Sequence, residues 1–163
     1  MLADNKKYLQ VLLVEDDRND QKLILSTINR LPSFSVSTTI VDSLEWATKW
    51  LQKADFNLVI LDLGLPDSKG LRTIESIRSV SPQINILIFT GATMESQLLL
   101  DNNIKGFFPK SKLAQENAEI ELDTQIKIST ELESISKHRN SLRIITQNLE
   151  QEIAKCQQIQ KIE

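Results

Sequence analysis

The sequence predicts an α/β fold, a parallel five-stranded sheet with helices on both faces and a long final helix. Between residues 11 and 108, five short apolar runs alternate with amphipathic segments. Such alternation is typical of a doubly wound parallel sheet, in which helices connect successive strands. Two of the runs end directly in carboxylates, and ligand chemistry in these folds lies at the carboxyl ends of the strands. We therefore expect one domain with an acidic site at one edge of its sheet.

The individual elements follow from the local pattern. Residues 11–14 and 58–61 are uninterrupted apolar runs, as expected for strands in the middle of a parallel sheet. Ser43 is expected to cap the second helix, and Asp17 to favour the start of the first through the helix dipole. The predicted strands are 11–14, 36–41, 58–61, 84–89 and 107–108, and the predicted helices are 20–31, 43–53, 71–80 and 95–100.

The composition changes near residue 110. Every glycine, proline and aromatic residue lies before it, whereas residues 111–163 contain no helix breaker and are rich in Glu, Gln, Lys, Leu and Ile. This composition favours one long helix that begins near Lys112. The side chains expected to pack its first turns on the sheet are Leu113, Ala118, Ile120 and Leu122.

The remainder of this helix carries a heptad pattern. One seam recurs every seven residues, and its companion seam mixes apolar with polar residues. Because an exposed apolar stripe needs a partner, we expect a parallel homodimeric coiled coil. The first seam is Ile128, Ile135, Leu142, Leu149 and Cys156, and the companion seam is Leu132, Arg139, Thr146, Ile153 and Gln160.

His138 lies on the same helix. We interpret it as a solvated side chain, because neither a second helical segment nor a kinase core follows it; a phosphorylatable histidine is the alternative. The helical pattern continues to residue 163 without a capping signal, so we expect an output domain beyond this chain.

Charge and composition argue against several kinds of partner. The 163 residues include 19 basic and 22 acidic side chains, a net charge of −3 that gives no sign of a nucleic-acid-binding or anionic-membrane surface. No apolar stretch approaches the length of a membrane span or a signal peptide, and one cysteine forms no internal disulfide. We expect a cytoplasmic protein that binds neither membrane nor nucleic acid.

The acids at the strand ends indicate phosphoryl chemistry. Glu15, Asp16 and Asp62 would repel one another unless a cation lay between them, and Mg²⁺ is a suitable hard cation. A carboxylate beside such an ion can attack a phosphoryl group and form an acyl phosphate. The hydroxyl of Thr90 and the ammonium of Lys110, at two further strand ends, would stabilise the transferred group.

A set of short motifs occurs in order at these strand ends. They are Val14-Glu15-Asp16, Asp62 with Pro66 and Gly70 behind it, Thr90-Gly91, and Gly106 followed by Lys110. Each motif is weak alone, but the ordered set resembles the receiver domain of bacterial two-component response regulators. The resemblance covers residues 8–125, leaves 126–163 as the extended helix, and implies the strand order 2-1-3-4-5.

The resemblance assigns the acids. It implies that Asp62 is the phosphorylated aspartate and that Asp16 and Asp62 bind Mg²⁺ directly. Glu15 would hold a metal-bound water, and Gly64 would contribute its backbone carbonyl. The expected function is that of a phosphoacceptor, not an enzyme, whose partner is a sensor histidine kinase or a phosphotransfer protein.

The resemblance also assigns the residues that detect the phosphoryl group. Thr90 would be the switch hydroxyl and Lys110 the partner of the phosphoryl oxygens, while Phe107 would be a switch aromatic without the usual hydroxyl. An alternative register makes Lys112 the phosphate partner, although Gly106 and the strand at 107–108 favour Lys110. Thr90 and Lys110 are 20 residues apart, which is shorter than the resemblance implies. The shortened segment, 91–105, leaves the usual dimer geometry open.

Other functions remain open beside this one. A phosphatase with an aspartate nucleophile typically has a second aspartate two residues later, where this chain has Gly64. The receiver fold could have lost its chemistry, or serve only for docking on a coiled-coil scaffold. The chain could also be the receiver of a larger signalling enzyme, a histidine kinase or a cyclase. Small residues at Gly64 and Ala92 should leave an acyl phosphate on Asp62 open to hydrolysis.

Overall fold

Nine regular elements and one short 3-10 turn make up the part of the chain that the computed structural model describes, residues 5–91 and 104–160. All five predicted strands and the first three predicted helices are present, with small shifts at their ends. The helix predicted at 95–100 lies outside the described residues. The elements are β1 Lys7–Val14, α1 Arg18–Ile28, β2 Phe34–Val41, α2 Leu44–Lys53, β3 Leu58–Asp62, α3 Leu71–Val80, β4 Asn85–Thr90, β5 Ile104–Pro109, the 3-10 turn Lys110–Lys112 and α4 Ala118–Gln160.

The five strands form one parallel sheet in the order β2-β1-β3-β4-β5, which confirms the expected topology. Val14 pairs with Leu61, and Thr90 pairs with Pro109, so the strands end along a common edge. The central strands β3 and β4 and the second half of β1, residues 11–14, are almost wholly buried because helices cover both faces of the sheet. The residues that follow these strand ends are therefore brought together.

Two apolar cores lie on the two faces of the sheet. The first includes Ile24 and Ile28 from α1 together with Leu122 from α4. The second includes Ala47 from α2 and Ile77 from α3. Connections that alternate between the two faces are the reason that chemistry in such a fold collects at the carboxyl edge.

The last helix begins later than predicted. After the turn at Lys110–Lys112, the chain continues irregularly to Asn117, whose φ of 65° is a left-handed conformation that asparagine tolerates. The Asn117 carbonyl then accepts the first hydrogen bonds of α4, from Ile120 and Glu121. The prediction of a helix from about Lys112 was therefore wrong by six residues, about 1.7 turns.

The packing of the first turns was predicted for three side chains out of four. Leu113, Ala118 and Leu122 are buried, whereas Ile120 is 52% exposed. Ile120 lies on the opposite side of the helix from the buried residue Leu122 because successive residues are turned by about 100°. Asp123 also anchors this turn, since its carboxylate accepts hydrogen bonds from the backbone and side chain of Ser33 at 2.8 Å each.

The start of α2 is capped from a distance. Ser43 occupies the N-cap position as predicted, but its side chain makes no capping hydrogen bond. The Asp67 carboxylate accepts the backbone N–H groups of Leu44 and Glu45 instead, both at 3.0 Å. The loop that follows β3 is thereby tied to α2.

Beyond the receiver-like part, the second compact unit begins at Lys127 and is helical through residue 160. Its apolar side chains are exposed in the single chain, and His138 and Cys156 are exposed as well. None of the helices in the described ranges is both long and apolar enough to cross a membrane. The exposed apolar residues of this unit are Ile128, Leu132, Ile135, Leu142, Ile144, Ile145, Leu149, Ile153 and Ile159.

Candidate functional site

Three carboxylates meet at the carboxyl edge of the sheet. Glu15 and Asp16 directly follow β1, and Asp62 is the last residue of the neighbouring strand β3. Each offers one oxygen, and the three oxygens lie within 4.8 Å of one another. Glu15 is 1% exposed, Asp62 is partly buried and Asp16 is exposed. The structure therefore brings together the three acids that the sequence predicted would meet.

The three acids form a chemically suitable site for a hard divalent cation. Burial raises the pKa of Glu15, the negative charge of Asp62 raises it further, and Lys110 acts in the opposite direction. A bound cation would relieve this cost of keeping charge in a confined space. Carboxylate oxygens are the ligands that Mg²⁺ prefers, and one or two of them are enough when waters complete its shell. The residues present fit the metal.

Lys110 extends from the end of β5 into the same group. Its Nζ lies 2.7 Å from Glu15 Oε2, 2.7 Å from Asp20 Oδ2 and 3.3 Å from Asp62 Oδ2. Burial disfavours its charge, but the surrounding carboxylates outweigh that effect and raise the pKa of Lys110 above its usual value. Lys112 pairs with Glu121 instead. Lys110 is therefore the lysine beside the acids, as the preferred register predicted.

Asp20 is a member of this group that the sequence analysis missed. It lies in the first turn of α1, which follows the acids at the end of β1, and its carboxylate accepts a hydrogen bond from Lys110. The available signal was its place one helical turn after the cap at Asp17. Asp17 lies at the start of α1, where the helix dipole was predicted to favour it, and it is also the N-cap, because its side chain accepts the backbone N–H groups of Asn19 and Asp20.

Gly64 leaves space beside Asp62. Its backbone N–H donates to Asp62 Oδ1 at 3.2 Å. A Cβ at this position would lie 3.5 Å from Asp62 Oδ2, an ordinary contact, so a larger side chain would cover that oxygen without a backbone clash. Glycine therefore keeps one side of the Asp62 carboxylate uncovered.

The predicted switch residues lie on the neighbouring strands. Thr90 ends β4 directly after Phe89, which pairs with Asp62 in the sheet. Phe107 is half-buried on β5 and packs against the apolar core on the α2 and α3 face. Gly106 has a φ of 145°, a backbone conformation that residues with a side chain rarely adopt, and the end of the Gln125 side chain occupies the space where a Cβ would lie. The strand that carries Phe107 and leads to Lys110 is thus in close contact with the first turns of α4.

This fold and this cluster of acids with a lysine define a receiver-type phosphoacceptor site. A family model for the response regulator receiver domain matches residues 11–119. The chain belongs to that family, which confirms the resemblance given by the motifs. Receiver domains of this family accept phosphoryl groups in two-component signalling and bind Mg²⁺ at an acidic site.

Curated relatives are similar to the receiver part. The transcriptional regulatory protein CitB of Klebsiella pneumoniae is 27% identical over 135 residues, which cover 83% of this chain and 53% of that protein. The probable C4-dicarboxylate response regulator DctR of Priestia megaterium is 29% identical over 89 residues, covering 55% and 39% of the two chains. This chain therefore spans about half, or less, of the length of these relatives.

Solved structures share the fold. The N-terminal domain of a response regulator/sensory box/GGDEF three-domain protein from Carboxydothermus hydrogenoformans aligns with a TM-score of 0.62 at 21% identity, over 79% of this chain and 99% of that one. The receiver domain of a sensor histidine kinase from Pseudomonas aeruginosa, with a magnesium ion in its active-site cleft, aligns with a TM-score of 0.55 at 20% identity, over 69% and 91%.

Proposed function

We propose that this chain receives a signal by phosphorylation of Asp62 and transmits it through its C-terminal helix. The observation that carries the proposal is the position of the Asp62 carboxylate, within 4.8 Å of two other acids and 3.3 Å from the Lys110 ammonium. Such an arrangement supplies a nucleophile, a cation site and a positive charge for the incoming group. The phosphoryl donor would be a phosphohistidine on a sensor histidine kinase or a phosphotransfer protein.

In the transfer, a carboxylate oxygen of Asp62 attacks the phosphorus of the donor. A new O–P bond forms, the P–N bond of the phosphohistidine breaks, and its electron pair returns to the imidazole. Lys110 pairs with the oxygens of the transferred group. Asp16, Asp62 and the Gly64 carbonyl would hold Mg²⁺, with Glu15 acting through a water, and the bound ion would offset the charge of the carboxylates and phosphoryl oxygens.

The product is an acyl phosphate that is accessible to water on one side. Gly64 leaves space next to Asp62, so water has access to the phosphoryl group and hydrolysis proceeds without a separate enzyme. In this step a water oxygen forms a new bond to phosphorus, the O–P bond to Asp62 breaks, and inorganic phosphate leaves while the carboxylate is restored. The chain is then a phosphoacceptor with limited self-dephosphorylation.

The readout uses Thr90 and Phe107. The Thr90 hydroxyl donates to a phosphoryl oxygen on Asp62, and the space it vacates is filled by the Phe107 ring. This change selects one of two conformations that the domain already samples. Because Phe107 has no hydroxyl, its inward orientation is stabilised by apolar packing alone.

The proposed organisation is a receiver at 8–125 and a signalling helix at 126–163 that leads to an output domain. Two copies pair through the heptad seams into a parallel coiled coil, which transmits the change from both receivers. The exposed apolar side chains of the helix support this pairing. The setting is the cytoplasm, where sensor kinases present their phosphohistidine.

The same exposed helix favours a second candidate, a coiled-coil scaffold whose receiver serves for docking only. Incubation with acetyl phosphate and Mg²⁺ followed by intact-mass measurement separates the two. The proposal predicts a gain of one phosphate that is lost in Asp62→Asn and kept in Asp67→Asn, a nearby acid outside the site. A chain that gains no phosphate would favour the scaffold.

A further inference from the structure

Within residues 5–91 and 104–160, Asp20 contacts the proposed phosphorylation site through Lys110. Its Oδ2 accepts a hydrogen bond from Lys110 Nζ at 2.7 Å. The acids arranged to hold a metal ion in the described residues are Glu15, Asp16 and Asp62, and Asp20 is not among them. Whatever Asp20 does at this site, it does by acting on the lysine.

The position of Asp20 is fixed by its surroundings. The Asp17 carboxylate accepts the N–H groups of Asn19 at 2.8 Å and Asp20 at 3.0 Å, which holds the first turn of α1. The side-chain amide of Gln21 donates to the Glu15 carbonyl at 2.6 Å and ties the same turn to the end of β1. Asp20 therefore presents its carboxylate from a preorganised helix terminus.

Lys110 is shared unequally between its partners. Its Nζ is 2.7 Å from both Asp20 and Glu15 but 3.3 Å from Asp62. Since attraction between charges weakens with distance, Asp20 and Glu15 each attract the ammonium more strongly than Asp62 does. The Asp62 oxygens are left more available to a cation and to a phosphoryl group.

We propose that Asp20 is a positioning residue that holds Lys110 away from Asp62 until Asp62 carries a phosphoryl group. The greater negative charge of the phosphorylated side chain then draws the ammonium across from Asp20. This inference rests on the proposed role of Asp62. It implies that Asp20 aids cation binding, because the Lys110 ammonium repels Mg²⁺ less when it pairs with Asp20 than when it pairs with Asp62.

A titration with Mg²⁺ tests this role by calorimetry. Asp20→Asn and Asp17→Asn are compared, each in the native chain and with Lys110→Met, and circular dichroism confirms that each variant is folded. Asp17→Asn is the matched control, because it removes one charge from the same helix end and asparagine still caps. We expect Asp20→Asn to weaken Mg²⁺ binding by about threefold more than the control, and this excess to vanish with Lys110→Met.

Two results would overturn the inference while leaving the metal site intact. One is an equal loss of Mg²⁺ affinity in the two asparagine variants, and the other is an excess that persists with Lys110→Met. A native chain that binds no Mg²⁺ would refute the proposed metal site instead. In that case the positioning role of Asp20 is tested by the Lys110 side-chain ¹⁵N resonance of the metal-free protein. Asp20→Asn should shift it more than Asp17→Asn, and equal shifts would refute the positioning role.

Discussion

The carboxyl edge of the sheet and the C-terminal helix differ in whether their side chains find contact partners within a single chain. At the edge, Glu15 is buried and Lys110 contacts three carboxylates, and all of these groups belong to one chain. Along the helix, apolar side chains such as Leu142, which is 64% exposed, face solvent in the single chain. We infer that receiving a phosphoryl group needs one copy of the chain, whereas transmitting the signal needs two.

The largest expected effect concerns the edge. Lys110→Met removes the ammonium that lies 3.3 Å from Asp62 and should slow phosphorylation by acetyl phosphate by about 100-fold, because that charge stabilises the transferring group. The rate is measured by intact mass over time. Lys112→Met is the control, since Lys112 pairs with Glu121 away from the acids. Equal rates in the two variants would show that phosphorylation at the carboxyl edge does not depend on the Lys110 charge.

The next effect concerns the helix. Leu142→Asp places a charge in the first heptad seam and should weaken self-association by more than about tenfold, because that carboxylate would be desolvated between two helices. Ile144→Asp is the matched control, since Ile144 is similarly exposed but lies outside both seams. Sedimentation equilibrium measures the association. If both variants dissociate equally, or the native chain is monomeric, the proposed coiled coil is wrong.

A smaller effect concerns the link between the β3 loop and α2. Asp67→Ala removes the carboxylate that accepts two backbone N–H groups of α2 and should lower the free energy of unfolding by about 1 kcal/mol. Urea denaturation at pH 7 measures this difference. Asp55→Ala, which removes an exposed carboxylate just after α2, should have little effect.

The same cap gives a pH dependence. Burial disfavours the Asp67 charge, but the hydrogen bonds from Leu44 and Glu45 outweigh that effect and hold the pKa of Asp67 below its ordinary value. A lowered pKa in the folded state means that the stabilisation is present above the unfolded pKa and is lost as pH falls through the folded one. The difference between the native chain and Asp67→Ala should therefore shrink at acidic pH. A difference that stays constant with pH would contradict an ionic cap.

Prediction from sequence succeeded for residues whose position follows directly from the strand that they end or follow. Asp62 and Glu15 follow uninterrupted apolar runs, so parallel pairing alone brings them to one edge. The sequence analysis missed Asp20 because its contact with Lys110 joins residues 90 apart and depends on how the start of α1 and the turn after β5 meet in the folded protein. Asp67 escaped for a similar reason, since nothing local distinguishes a long-range cap from a solvated turn acid.

Prediction of α4 from sequence was limited in the same way, by contacts that depend on the folded structure. Its composition predicted helical residues correctly, but not the start at Ala118, which depends on the left-handed turn at Asn117. Ile120 was assigned to the core on polarity alone, and its exposure follows from the final orientation of the helix. Local pattern therefore determined the kind of element, while tertiary packing determined its ends and its buried face.

The central claim, that Asp62 accepts the phosphoryl group, is tested most directly by locating the modification. The chain is incubated with acetyl phosphate and Mg²⁺, reduced with borohydride to trap the acyl phosphate, digested and analysed by mass spectrometry. The account predicts one modified residue, Asp62, with the signal lost when Mg²⁺ is chelated. Modification at Asp16, at His138 or at no residue, while the chain is folded and Mg²⁺ is present, would contradict it.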